Sequence, residues 1–141
     1  MPQLISAEDG RTIQGMFAGT TSKARLILFT AADNCPYCEQ TDAIVQELQE
    51  LVPESLEVEV RDVTAGSEYG IDNAPALLFV DEVGNDLGVR YYGIPAGYEF
   101  AALIEALSDL AKQEQGLSEE SRRQVQAVEQ ELEIKVFVTP T

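Results

Sequence analysis

The 141-residue chain holds two cysteines, Cys35 and Cys38, and they fall three positions apart in the run Cys35-Pro36-Tyr37-Cys38. Side chains so spaced on one turn can bring their sulfurs to bonding distance, ~2 Å, so a disulfide forms and breaks without disturbing the remaining chain. If a helix starts there, its unpaired N–H groups carry partial positive charge that stabilises a thiolate on the first cysteine. Cys35 is therefore the candidate nucleophile and Cys38 the resolving thiol. Attack by Cys35 on a substrate disulfide gives a mixed disulfide, which Cys38 displaces to release the reduced substrate. Spacing alone leaves two other readings open: half of a zinc site, or a pair of incidental buried thiols. Composition sets the first back, because tetrahedral zinc usually takes four Cys or His ligands and the chain has no histidine and no third cysteine. Carboxylates or a second chain must complete such a site.

The elements needed to position the pair can be read on either side of it. Leu26-Ile27-Leu28-Phe29 is too short an apolar run for a helix and predicts a buried strand leading straight into the cysteines. From Cys35 onward Ile44, Val45, Leu48 and Leu51 mark one helical face, which Pro53 ends. Leu56-Glu57-Val58-Glu59-Val60-Arg61 then alternates with period two, a strand wet on one face and placed toward the sheet edge. A crossover of this kind is right-handed, with its two strands parallel.

Ala76-Leu77-Leu78-Phe79-Val80 and Leu87–Tyr92, joined through Gly84-Asn85, predict an antiparallel hairpin. Phe100, Leu103, Ile104, Leu107, Leu110 and Ala111 then recur on the buried face of a long helix. Upstream, Ser6 with Asp9 caps a first helix near 6–17 carrying Ile13, Met16 and Phe17. Downstream, Ser118 caps a further helix with Val125, Val128 and Leu132, and Ile134–Val138 reads as a strand ended by Pro140. A strand apolar on both faces must pair with its own sheet or with another chain, which makes a homodimer the expectation.

This length suits one compact domain, typically ~100–150 residues. The expectation is a domain over 1–115 with an appended helix and strand over 116–141. Twenty-five acidic against nine basic residues give a formal charge of −16, which repels nucleic-acid phosphates and anionic lipid alike. The N-terminus carries no basic, apolar leader pattern, and no apolar run reaches the ~18 residues of a membrane span. A soluble, cytoplasmic product is expected, and in a reducing cytosol paired cysteines favour redox or metal chemistry over a structural staple. Asp33, Glu39 and Asp42 crowd the motif, and like charge disfavours a thiolate. Cys35 is expected to be less acidic than in a comparable dithiol with basic surroundings.

The element order α-βαβ-ββα is the thioredoxin arrangement, and the chain resembles the N-terminal half of the protein disulfide oxidoreductases, glutaredoxin-like proteins of two fused thioredoxin units. The likeness rests on Phe29–Cys38 with its CPYC motif, Ile71-Asp72-Asn73-Ala74-Pro75-Ala76, Gly88–Phe100, and the closing Val136–Thr141. It implies an α/β, thioredoxin-like fold, a central mixed β-sheet flanked by helices, with a C-terminal helix-strand tail opening a second unit. It also implies a thiol-disulfide oxidoreductase that reduces or oxidises protein disulfides and needs no cofactor. Cys35 and Cys38 carry the catalysis; Pro36, Tyr37, Ala74 and Pro75 touch substrate.

In such folds a cis-proline faces the cysteines and leaves neighbouring backbone free to pair with an extended substrate segment. The rival reading of Pro75 is an ordinary trans-proline opening an edge strand. Tyr37 reads as an exposed aromatic of the first turn or as a substrate platform. Tyr91, Tyr92, Tyr98 and Phe100 read as core and helix-packing residues, and acidic runs such as Glu119-Glu120 as solvated faces.

The chain departs from the family at two points. A second C-x-x-C is expected just after Thr139-Pro140-Thr141, where the given sequence stops, so the chain is either a fragment or a naturally shortened protein; and Leu26–Phe29 offers no carboxylate on the strand before the motif, so a water or a nearby glutamate must move the proton. Two other functions remain in play: an electron-delivery or docking domain for a flavoprotein or peroxidase system, as in the N-terminal part of alkyl hydroperoxide reductase flavoproteins, and a glutaredoxin-like iron-sulfur or metal-binding module. A thioredoxin-reductase-like flavoprotein is the partner that the first of these implies.

Overall fold

The computed structural model describes residues 3–114 and 116–139. Gln115, the expected domain boundary, and Pro140 and Thr141, the expected strand stop and family match, lie outside the described residues.

The first helix, α1 (Ala7–Met16), starts where Ser6 turns its hydroxyl to accept from the Asp9 N–H. Strand β1 (Ala24–Thr30) leads to the cysteine loop, which runs into α2 (Cys38–Leu51). Then come β2 (Leu56–Asp62), β3 (Ala76–Val80), β4 (Asp86–Tyr92) and α3 (Tyr98–Lys112). The four strands form one mixed sheet in the order β2-β1-β3-β4. Strand β2 lies at the edge, parallel to β1, and β3 pairs antiparallel with both β1 and β4. The alternating, charge-bearing sequence of β2 suits that edge, while the all-apolar β3 is buried along its whole length.

Period-two geometry divides β1 and β3 between two faces. Leu26 and Leu28, with Leu77 and Phe79, meet Ile13 of α1 and Phe17 just after it, Val45 and Leu48 of α2, and Leu103, Ile104 and Leu107 of α3. Each of these fully buried side chains contributes roughly 1.5–3 kcal/mol of transfer free energy, so this face carries most of the stability. The opposite face, with Ile27, Phe29, Ala76, Leu78 and Val80, packs against Ile71 and Tyr69. Those two belong to a stretch that sequence periodicity does not reveal, with a 3₁₀ helix over Val63–Tyr69. Its start is capped by Asp62, which accepts from the Thr64 N–H at 3.0 Å, and it ends at Gly70 in the left-handed region, φ 70°. Arg90 of β4 fastens it by donating to the Tyr69 carbonyl at 2.7 Å while pairing with Asp86 at 2.5 Å.

Beyond α3 the structure departs from expectation. Helix α4 (Glu119–Gln126) forms with Ser118 as its cap, but it ends before Val128 and Leu132, which lie outside it. Residues 134–138 make no strand. A β-ladder exists only between partners, and no described strand pairs with this segment; it is exposed, Phe137 at 90 %. The acidic runs are solvated as expected, Glu120 pairing with Arg123 and Glu133 with Lys135.

Two outcomes follow for stability. A Cβ on Gly66 would stand 2.7 Å from the Ile71 carbonyl oxygen, a backbone atom that cannot step aside. Gly66→Ala therefore lowers stability by about 1–3 kcal/mol, read as a lower urea midpoint at unchanged slope. Hydrogen bonds from Arg90 hold the Asp86 carboxyl below the usual carboxylate range, against a smaller opposing effect of burial. A carboxylate with a depressed native pKa contributes stability above its unfolded pKa and loses it as pH falls through the native one. Asp86→Asn should flatten the acid limb of a stability-pH curve; an unchanged limb would show that the Arg90 pair adds nothing.

Candidate active site

The loop between β1 and α2 carries Cys35, Pro36 and Tyr37, and Cys38 is the first helical residue. The helix therefore begins three residues later than the cysteine run suggests, leaving Cys35 in front of its N-terminus. The two cysteines form a disulfide, with Cα atoms 5.4 Å apart. Cys35 is half-buried, whereas Cys38 is 6 % exposed. The backbone closes around the pair: the Cys38 N–H donates to the Cys35 carbonyl at 3.3 Å, and the Thr41 N–H to the Tyr37 carbonyl at 3.0 Å. The Ala31 N–H donates to Cys38 Sγ at 3.4 Å.

Helix α2 has no side-chain cap, so the partial positive charge of its first turn is left for whatever anion forms there. Asn34, immediately before Cys35, sits in the left-handed region at φ 55°. Asn tolerates that region better than other residues with a side chain, which lets the chain reverse sharply into the cysteine run.

Sheet register brings the second half of the site alongside. Phe29 is opposite Ala76 in the antiparallel β1–β3 pair, so Pro75 falls beside Thr30, the last residue before the loop. The Ala74–Pro75 peptide is cis. Pro75 is buried, Ala74 half-buried, and the Pro75 carbonyl accepts from the Gly93 N–H at 3.0 Å, fixing the end of β4 to the same corner. All six residues singled out from the sequence thus lie on two adjacent segments at one end of the sheet.

The aromatic residues divide. Tyr91 and Phe100 pack against the core, as read from sequence. Tyr98 does not: it is 87 % exposed, and Tyr92 is half-exposed on the edge strand. Helix α3 opens at Gly97, and its buried stripe begins only at Leu103. Tyr37 is half-exposed beside the disulfide. Of the acidic neighbours, Asp33 and Glu39 are exposed, and Asp42 is half-buried and accepts from Gln46 at 3.1 Å.

Sequence reasoning missed Thr41. It lies fully buried one turn below Cys38, and its hydroxyl alone among the described buried side-chain polar atoms has no hydrogen-bond partner. The available signal was its place at i+3 from Cys38 and i−4 from Val45, on the seam that the apolar residues mark. Among the described residues no group of three or more His, Cys, Asp or Glu is placed to hold a metal ion, and no helix is long and apolar enough to cross a membrane.

Comparison with known proteins places this arrangement. In solved structures the chain superposes on the alkylhydroperoxide reductase AhpF of Enterococcus faecalis (TM-score 0.76, 25 % identity, 89 % of this chain and 61 % of that one). The N-terminal domain of the same protein aligns over 86 % of this chain and 59 % of that one, at TM-score 0.73 and 24 % identity. A protein disulfide oxidoreductase of Aeropyrum pernix aligns at TM-score 0.73 and 25 % identity, over 89 % of this chain and 56 % of that one. The chain thus spans between 56 % and 61 % of the length of these structures. No curated protein matches it in sequence. The model of the thioredoxin-like domain matches residues 16–108, from the end of α1 through most of α3. Since that match takes in the whole sheet, the disulfide loop and more than half of the residues, the chain belongs to the thioredoxin-like domain family.

Proposed function

We propose that the chain is a thiol-disulfide oxidoreductase that exchanges its Cys35–Cys38 pair with disulfides of protein substrates. One observation carries this reading: a disulfide between one half-buried and one buried cysteine, set at an uncapped helix start. Cys35 is the sulfur more open to a substrate, and the buried Cys38 is placed to resolve the mixed disulfide. In the reducing direction the Cys35 thiolate attacks a substrate disulfide, one substrate sulfur leaves as a thiolate and takes a proton from solvent, and Cys38 then displaces the other. Pro36 and Tyr37 line the approach, and the backbone at Ala74, beside Pro75, offers an edge on which an extended substrate segment can lie. In this reading residues 1–115 are the dithiol unit, and 116–141 resemble the start of a further one.

A second reading has specific support in the likeness to the Enterococcus faecalis reductase: the same dithiol as an electron-delivery domain between a flavoprotein and a peroxidase. Both readings use the same first chemical step and differ in what reduces the disulfide.

Insulin reduction driven by dithiothreitol tests the shared step. Activity should fall to the uncatalysed rate in Cys35→Ser, and Cys38→Ser should retain substrate proteins as mixed disulfides; full activity in Cys35→Ser sinks both readings. Turnover with a flavoprotein disulfide reductase and NADPH, together with poor turnover with dithiothreitol, selects electron delivery.

The charge of −16 and the exposed Asp33, Glu39 and Asp72 near the site segments bear on substrate choice. Model peptide disulfides flanked by lysines should react faster than the same peptides flanked by glutamates. The gap should close as salt is raised past physiological strength, where the screening length falls below ~8 Å. Equal rates at low salt would remove charge as a selector.

A further inference from the structure

Three polar side chains are buried in the described residues: Thr41, Ser55 and Ser108. Ser55 meets Thr20 at 2.6 Å, and Ser108 donates to the Met16 carbonyl at 2.9 Å. Thr41, with no exposure at all, has nothing. A buried hydroxyl without a partner destabilises the state in which it is found, and a satisfied alternative state is the simplest reason to keep one. This hydroxyl is on the same helical face as Cys38 and one turn on, where residues i and i+3 are neighbours, ~5–6 Å between Cβ atoms. The disulfide is closed. Its sulfurs carry no charge and are poor acceptors; the one state that places an anion on this face is the Cys38 thiolate.

The surroundings sharpen the point. Among the described residues no carboxylate is buried: Asp33 and Glu39 beside the pair are exposed, and Asp42, half-buried one turn on from Cys38, accepts from Gln46. What the site offers Cys38 Sγ is donors: the Ala31 N–H, already in place, and, one turn below, an unused hydroxyl.

We propose that Thr41 is a positioning residue for the resolving step, its hydroxyl donating to the Cys38 thiolate once Cys38 is free of the disulfide. The idea rests on the dithiol reading above. In the mixed disulfide, Cys38 loses its thiol proton to water. Its sulfur turns about the Cα–Cβ bond toward the hydroxyl and the anion is held there. Cys38 Sγ then attacks Cys35 Sγ, the Cys35–substrate bond breaks, and the electron pair leaves on the substrate sulfur, which is protonated by solvent. Threonine keeps its hydrogen throughout. When the Cys35–Cys38 bond closes, the anion vanishes and the hydroxyl is orphaned, as observed.

The test uses the single-thiol Cys35→Ser chain, in which thiolate absorbance against pH reports Cys38 alone. Replacing Thr41 by Val, which keeps shape and removes the donor, should cut the Cys38 thiolate fraction about tenfold below its midpoint, a rise of about one pH unit. Thr41→Ser should restore it. In the intact dithiol, Thr41→Val should also shift the equilibrium with dithiothreitol toward the protein disulfide, since the oxidised state no longer buries an unpaired hydroxyl. Cys35 alkylation should be unchanged.

A folded Val variant with an unmoved Cys38 titration overturns the proposal, and so does a Ser variant that fails to restore it. Should the Val variant not fold, Thr41→Ala against Thr41→Ser makes the same comparison. Turnover by the parent chain separates the two levels: if the parent is inactive both with dithiothreitol and with a flavoprotein disulfide reductase and NADPH, the dithiol reading fails, whereas an active parent with an indifferent Thr41 sinks this proposal alone.

Discussion

The antiparallel pairing of β1 with β3 is the constraint on which the site depends. It sets Phe29 against Ala76, and from that one register the two chemically important segments emerge side by side, the cysteine loop after Thr30 and the Ala74–Pro75 turn before Ala76. A slip of one residue would turn every side chain of β3 to the wrong face, and the strand is apolar throughout, so side-chain polarity alone does not forbid it. What forbids it is shape: Leu77 and Phe79 fill the helix side, while Ala76, Leu78 and Val80 meet the slimmer cover of Ile71 and Tyr69. Core packing thereby determines where the sulfurs meet their substrate.

The redox loop in turn borrows its electrostatics from a helix whose length and burial serve the core. Val45 and Leu48 anchor α2 to the sheet, and its N-terminal end, which no side chain caps, follows directly on the loop that carries Cys35. In a molecule this acidic the local dipole acts against the general field. Long-range repulsion is screened by salt; the first-turn amides act at close range and are screened much less.

Much of this is legible in the residues. The dithiol, every strand of the sheet, the edge position of β2 and the three core helices follow from spacing and periodicity, because each element buries a face whose period survives in one dimension. The 3₁₀ helix over Val63–Tyr69 does not: it is held by a cap at Asp62 and by Arg90 from a strand further along the chain, and neither leaves a periodic trace. The tail misleads for a related reason. Ile134-Lys135-Val136-Phe137-Val138 has the composition of a strand, but composition supplies only propensity and a ladder needs a partner. Tyr98 reads as a packing residue because aromatic residues are usually half-hidden, whereas here the helix turns it outward. Thr41 escapes notice because a threonine on an apolar seam looks like a small core residue until its hydroxyl is found alone.

The thin side of the sheet has a consequence for the thick one. Phe29 is one residue from the end of the strand that feeds the cysteine loop, and its ring rests against Tyr69, centroids 6.0 Å apart. Tyr69 is itself tied through its carbonyl to Arg90. The sulfurs sit at the start of a helix on one side of the sheet, yet the strand that delivers them is braced from the other. A molecule that pried up the short 3₁₀ segment would loosen the root of the redox loop without touching it, so the back of this protein is a handle on its front.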